Sequence, residues 1–467
     1  MRIVIFSINP IFPDVVTGGA SKHLYHIARH LGEMGHDEKI LCAQAVRPIQ
    51  PFSWAENVTV YPILPFKLPF PQPYNISGAD LALIVERVSD ALRDANRFYI
   101  HDGEFLLPDV YEHVPTIVSF RDNIYPESVL GSYIGKADEV ICVSPYSADV
   151  IKYTAGRFYP DFESRLHHVN NGIDFDHFRP VDARPLAKEL GLELENETIL
   201  LHPHRPEPGK GLPETIMVVD RLVHEHGISK LKVLIPEWID SMVSAGESDF
   251  YDAMMNLMHD LGVREYFRFI PWLPNERMPE LYSLGDVTLC LGNIVEAFGN
   301  VAYESLACGT PSIVARVGVH RTLMPDDLID KVHFGDIRDA VEKALHILKN
   351  GSRDGEAVQS ALRKSLDFDQ QVRTYTDIIT GCQKREPLRF RYPERSQDQR
   401  FLLAPWCYLD GKRIYHDFQG MFADAEELAM LLADNTLLTL ADARQAGITQ
   451  ETWQEWMDRT WIIPIND

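Results

Sequence analysis

The chain has 467 residues, enough for two or three domains, each with its own core. With 45% hydrophobic and 24% charged residues its composition is that of an ordinary globular protein, and its net charge of −23 argues against a general nucleic-acid binder. The six cysteines are scattered without C-x-x-C spacing, which predicts buried free thiols, and no apolar run reaches membrane-spanning length.

Residues 2–7 (RIVIFS) predict a buried strand. A loop with Pro10, Pro13, Gly18 and Gly19 follows, then a helix from about Ser21 to Glu33, closed by Gly35-His36. Further strands are expected at 39–44, 98–101, 115–120 and 139–143 with helical patterns between them, which makes a doubly wound, Rossmann-like half. The proline- and aromatic-rich stretch 45–80 reads as loops with a shaped apolar surface. Asn171-Gly172 reads as a tight turn, because both residues tolerate positive φ. A polar linker over about 179–196 leads to a second half with strands at 198–202, 231–235, 267–270, 286–291 and 312–315, closed by a helix near 370–381.

Two such halves leave a cleft lined by the carboxyl ends of their strands. The expected fold class is therefore α/β, two Rossmann-like doubly wound domains (1–180 and 181–385) facing a cleft. A small α+β appendage (386–467) follows. It has a hairpin around Asp410-Gly411, two or three short helices and four of the seven tryptophans. Those tryptophans suit either a partner or dimer contact or a satellite core.

The most informative stretch is EAFGNVAYESLACGTPSIVA. Glu296 and Glu304 stand eight residues apart, with Phe298, Gly299 and Asn300 in a small turn after the first. A helix from Asn300 to Cys308 is stopped by Gly309-Thr310-Pro311 before a strand at 312–315. A helix opening at a glycine presents free N–H groups, which suit a phosphate or a polarised sugar. LLHPHRPEPGKG (200–211) sets Arg205 and Lys210 in a rigid loop after the first strand of the second half. Two cations there can stabilise a departing diphosphate. Gly18 and Gly19 allow close backbone approach from the other half.

The stretch from Glu296 to Glu304 resembles the E-x7-E motif of retaining nucleotide-sugar glycosyltransferases of the GT-B fold, specifically family 4. The resemblance implies that Glu296 and the amides at 298–300 hold the donor sugar and that Glu304 takes the ribose hydroxyls. It implies that Arg205 and Lys210 bind the diphosphate, that Gly18-Gly19 approach it, and that Trp272 and Leu273 of PWLP lie at the nucleobase. The donor is then a UDP-, GDP- or ADP-sugar bound as substrate, with no permanent cofactor and no metal. Transfer to a hydroxyl-bearing acceptor would proceed with retention, the leaving phosphate helping to deprotonate the acceptor.

Three features depart from the family pattern: His204 stands before Arg205, Glu237-Trp238 follow the strand at 231–236, and Gly318-Val319-His320-Arg321 follow SIVA. His101 ends a strand at the expected cleft edge and is a candidate sugar- or acceptor-facing group. Arg121 stands where relatives often carry a histidine; it cannot act as a base and could contact phosphate or an acidic acceptor. Alternatives that stay open are a GT-B phosphorylase and an inactive GT-B scaffold. The expected partners are the nucleotide sugar and an unidentified acceptor, with no nucleic acid. A cytoplasmic location is expected, and a peripheral membrane contact stays open.

Overall fold

The computed structural model describes residues 1–13, 18–68, 72–237, 248–351, 355–393, 396, 398–433 and 435–465, so Trp238 lies outside the described residues. The first domain is built on eight strands: β1 (Arg2–Ser7), β2 (Asp37–Ala43), β3 (Phe52–Ala55), β4 (Val58–Leu64), β5 (Arg97–Ile100), β6 (Thr116–Phe120), β7 (Glu139–Cys142) and β8 (Leu166–His168). Their order is β3-β4-β2-β1-β5-β6-β7-β8, and every pair except β3–β4 is parallel. β1 is an unbroken apolar run because helices cover both faces of the sheet. The helix Gly18–Glu33 buries Leu24, Ile27, Ala28 and Leu31, one stripe at helical spacing, against it.

β3 and β4 occupy part of the stretch expected to be loops. Pro62 sits inside β4, where β3 has already ended at the Val60 pairing and where the register against β2 shifts, so the missing N–H breaks no central ladder. Asn171 and Gly172 also differ from expectation, since neither takes positive φ. Gly172 is instead a contact point: a Cβ there would lie 2.4 Å from Cα of Phe368, at the start of the helix Phe368–Gly381.

The second domain has six parallel strands, β9 (Thr198–Leu201), β10 (Leu231–Pro236), β11 (Phe267–Ile270), β12 (Val287–Cys290), β13 (Ser312–Ala315) and β14 (Asp330–Val332), in the order β11-β10-β9-β12-β13-β14. The expected polar linker contains a helix, Arg184–Glu189, whose Leu186 and Ala187 are buried in this domain's core. Helix Phe368–Gly381 returns to the first domain, where Tyr375 and Ile379 join Ile3, Ile5, Leu24 and Tyr99 in one apolar cluster.

The chain then runs back along the first domain, with Arg385 paired to Glu139 at 2.6 Å and Phe390 stacked on Phe158. The appendage has a two-stranded sheet, β15 (Phe401–Leu403) with β19 (Ile462–Pro464), and an antiparallel meander of β16 (Cys407–Asp410), β17 (Arg413–His416) and β18 (Met421–Asp424). The hairpin turns at Gly411-Lys412 as expected, with Gly411 at φ +57. Trp406, Trp453, Trp456 and Trp461 are each under 5% exposed. They share a core with Tyr146 and Val150 of the first domain and Val295 and Val319 of the second. The tryptophans are thus internal to the chain and form no exposed partner face.

Candidate functional site

The site is assembled where two helix N-termini meet. Gly299 takes the left-handed conformation (φ 73, ψ 55) and starts the helix Asn300–Ala307. A Cβ on Gly299 would lie 2.4 Å from Cε1 of His320, so this approach needs glycine. From the other domain comes the helix Gly18–Glu33, which has no acidic residue in its first turn. A Cβ on Gly19 would lie 3.1 Å from Nδ2 of Asn300. The positive ends of both helices therefore converge on one space between the domains.

Lys210 and Glu296 form a charge-assisted hydrogen bond of 2.6 Å at one side of that space. Burial works against both charges, but each outweighs it for the other. Lys210 lies above the ordinary lysine range, and Glu296 lies below the ordinary carboxylate range, helped by His320 and Arg205. Arg205, with its side chain 41% exposed, pairs with Glu207 at 2.9 Å. His320 is neutral at physiological pH: burial lowers it to about 4, and its Nδ1 lies 3.0 Å from the Tyr303 hydroxyl.

Glu304, one turn into its helix, accepts from the Tyr282 hydroxyl at 3.1 Å. Across the cleft, Lys22 lies 3.6 Å from the other Glu304 oxygen and 4.3 Å over the Phe178 ring. Phe298 is buried in the core against Tyr303, so at that position only the backbone is available to a ligand. Trp272 is 47% exposed, whereas Leu273 is buried in the core of the second domain.

Two of the expected residues stand behind the site instead of in it. His101 is 1% exposed; its Nε2 donates to the Ala20 carbonyl at 2.9 Å and its Nδ1 faces the Tyr99 hydroxyl at 2.8 Å. With both nitrogens engaged it anchors the start of the helix Gly18–Glu33 and does not face a sugar. Arg121 donates to Asn171 Oδ1 at 3.1 Å and lies 3.5 Å from the Tyr375 hydroxyl. Asn171 Nδ2 in turn reaches Asn300 Oδ1 at 3.3 Å. Arg121 is thus linked through Asn171 to the first residue of the helix Asn300–Ala307.

Lys22 and Tyr282 were not singled out in the sequence, and His320 only as part of the departure after the strand at 312–315. Lys22 had a signal, since it lies in the first turn after the glycine pair. For His320 the signal was that departure alone, and the close approach at Gly299 is what brings its ring to the site. A further contact joins the domains: Ser144 Oγ caps the helix Pro145–Tyr153 by accepting from Ser147 N, and it donates to the Ala297 carbonyl at 2.6 Å.

Residues 189–361 match the family model described as glycosyl transferases group 1, and residues 17–177 match that described as Glycosyltransferase Family 4. The chain is a glycosyltransferase with a family 4 domain followed by a group 1 domain. The glycosyltransferase is 26% identical over 336 residues to the D-inositol 3-phosphate glycosyltransferase of Acidothermus cellulolyticus, covering 66% of this chain and 73% of that protein. With a second protein of that name from Catenulispora acidiphila it shares 29% over 174 residues, 36% of this chain and only 39% of that protein. The GPI3 subunit of a phosphatidylinositol N-acetylglucosaminyltransferase from Saccharomyces cerevisiae is 21% identical over 384 residues, 78% of this chain and 80% of that protein. Among solved structures, Anabaena HepE in complex with UDP and glucose superposes with a TM-score of 0.65 at 17% identity, covering 82% of this chain and all of that one. Sucrose-phosphate synthase from Thermosynechococcus elongatus gives the same TM-score at 16% identity, over 81% of this chain and 98% of that one. The two-domain GT-B fold of the glycosyltransferase is the fold of these structures.

Proposed function

We propose that the glycosyltransferase binds a nucleoside-diphosphate sugar in the cleft and transfers the sugar, with retention and without a metal, to a hydroxyl-bearing acceptor. The observation that carries this reading is the Lys210–Glu296 pair beside the two convergent helix N-termini, with Glu304 of the helix Asn300–Ala307 held by Tyr282 of the neighbouring helix Met278–Leu284. A diphosphate would meet Lys210, Arg205 and the free N–H groups at Asn300, so the protein supplies the positive charge needed as the leaving group departs. Glu304 suits ribose hydroxyls, and the Lys22 ammonium that now contacts it would turn to the adjacent phosphate. Glu296 would accept from sugar hydroxyls. In the transfer, the bond from C1 of the sugar to the phosphate oxygen breaks and the bond to the acceptor oxygen forms on the same face. The acceptor proton passes to the departing phosphate. The UDP and glucose bound by HepE support a nucleotide donor by analogy of fold.

A thermal-shift panel of UDP, GDP, ADP, dTDP and CDP tests the donor. A ligand at about 100 times its Kd adds ~2.7 kcal/mol, a shift easily read. Lys210→Ala and Glu296→Ala are each expected to lower turnover at least about 10²-fold. Near-normal turnover in either variant rejects the role given to that residue, and the anomeric configuration of the product, read by NMR, decides retention.

A further inference from the structure

The loop that carries the chain into Glu296 also walls a second space. A cavity of about 660 Å³, in the size range of small-molecule sites, opens between the helices Pro126–Ile134 and Pro145–Tyr153 of the first domain, the loop residues Asn293–Val295, and the appendage turn Asp417–Gly420. The turn and the loop are in contact, since a Cβ on Gly420 would lie 2.9 Å from Nδ2 of Asn293. Anything bound there lies beside the segment that holds the donor sugar.

The lining restricts the occupant. No lysine or arginine is among the lining residues. Both lining carboxylates are committed, Asp417 to Arg321 and the Tyr146 hydroxyl, Asp122 to the amides of Ile124 and Tyr125 and the Ser128 hydroxyl. Asn123 is 7% exposed; its Nδ2 donates to Ser147 Oγ at 3.0 Å, but its Oδ1 has no partner among the described residues. This orphaned acceptor belongs to a residue of the cavity wall, and a bound hydroxyl that reached it would satisfy it. Trp406 and Phe418 add two aromatic rings with centroids 6.1 Å apart.

We propose that this cavity is the acceptor site and that it takes a neutral, polyhydroxylated ring, a sugar unit bearing neither phosphate nor carboxylate. The proposal rests on the donor-site reading above. A sugar ring presents apolar C–H faces to Phe418 and Trp406 and a hydroxyl donor to Asn123 Oδ1. An anion there would face Asp122 and Asp417 with no lining cation to receive it, since Arg321 is already committed to Asp417. The appendage is then part of the active site. In this it sets the glycosyltransferase apart from relatives named for D-inositol 3-phosphate.

Saturation-transfer NMR on the full chain, saturated with the nucleoside diphosphate that gives the largest thermal shift, reads the binding of methyl glucoside, methyl galactoside, maltose and glucose 6-phosphate. Signals are expected from one or more neutral glycosides and none above background from glucose 6-phosphate. Phe418→Ala is expected to weaken the neutral glycoside about tenfold, the size of one lost aromatic contact. Gln419→Ala is a second variant on the same turn. Both side chains are exposed, so neither change threatens folding. Tighter binding of glucose 6-phosphate than of methyl glucoside overturns the proposal. So does silence from every neutral glycoside, or unchanged affinity in both variants. If no nucleotide shifts the wild-type protein, the donor reading fails first and this proposal fails with it; a normal nucleotide shift beside unchanged glycoside affinity refutes the acceptor site alone.

Discussion

Two glutamates, one half-buried and one buried, show how local company decides a charge. Glu296 faces Lys210 at 2.6 Å and is held as a carboxylate. Glu38 on β2 is 1% exposed, neither of its oxygens has a partner among the described residues, and burial, helped by Asp37, pushes it from 4.5 up to about 9. In the folded protein Glu38 is therefore a neutral acid across a pH window in which the unfolded chain has released the proton. Between pH 4.5 and about 9 the native state binds more protons, so stability falls as pH rises, by at most about 1.4 kcal/mol per pH unit. Glu38→Gln keeps the shape and removes the titration. Its Tm is expected to match wild type near pH 5 and to exceed it increasingly toward pH 9, by scanning calorimetry at each pH. A difference in Tm that stays flat across that range would show that Glu38 finds a charged partner.

At the scale of elements, the start of the helix Asn300–Ala307 is where backbone geometry becomes binding geometry. Gly299→Ala would combine a left-handed backbone, costing about 1–2 kcal/mol, with a methyl group against the His320 ring. The ring would have to leave Tyr303, and the amides at Asn300 would turn with the helix. Turnover is expected to fall more than about tenfold with secondary structure unchanged by circular dichroism. Gly78→Ala is the control, a helix start where an added Cβ meets nothing within 4 Å. Equal activity in the two variants would remove Gly299 from the site. This element was legible in the sequence because Glu296, Gly299 and Glu304 lie within nine consecutive residues, as the α/β alternation lies in local apolar runs. What depends on distant contacts was not legible. Pro62 disguised β4, Gly172 serves an approach to Phe368 instead of a positive φ, and His101 and Arg121 turn out to engage Ala20 and Asn171. Each of these partners lies at least 50 residues away along the chain, apart from the local effect of Pro62.

For the whole molecule, the decisive feature is that the appendage has no separate core. Its tryptophan cluster includes Tyr146, Val150, Val295 and Val319, drawn from both Rossmann-like domains. At its centre Asp417, fully buried, accepts from Arg321 at 2.8 and 3.1 Å and from the Tyr146 hydroxyl at 2.7 Å, while Arg321 also reaches the Pro405 carbonyl at 2.8 Å. Arg321 follows His320, which contacts Gly299, so the anchor of the appendage and the floor of the donor site are consecutive residues. A satellite domain would melt by itself, whereas this arrangement couples the appendage to both halves of the cleft. The intact protein is expected to unfold in one calorimetric transition. Asp417→Ala leaves Arg321 buried without its counter-charge and is expected to cost about 3–5 kcal/mol. That loss should lower the one transition as a unit and not split off a small early one. A chain ending at residue 385 would expose the apolar face of the helix Pro145–Tyr153 and is expected to lose both solubility and nucleotide-dependent stabilisation. An early transition of Asp417→Ala carrying only a small share of the enthalpy, with the nucleotide shift intact, would show instead that the appendage is an accessory and that the cleft stands without it.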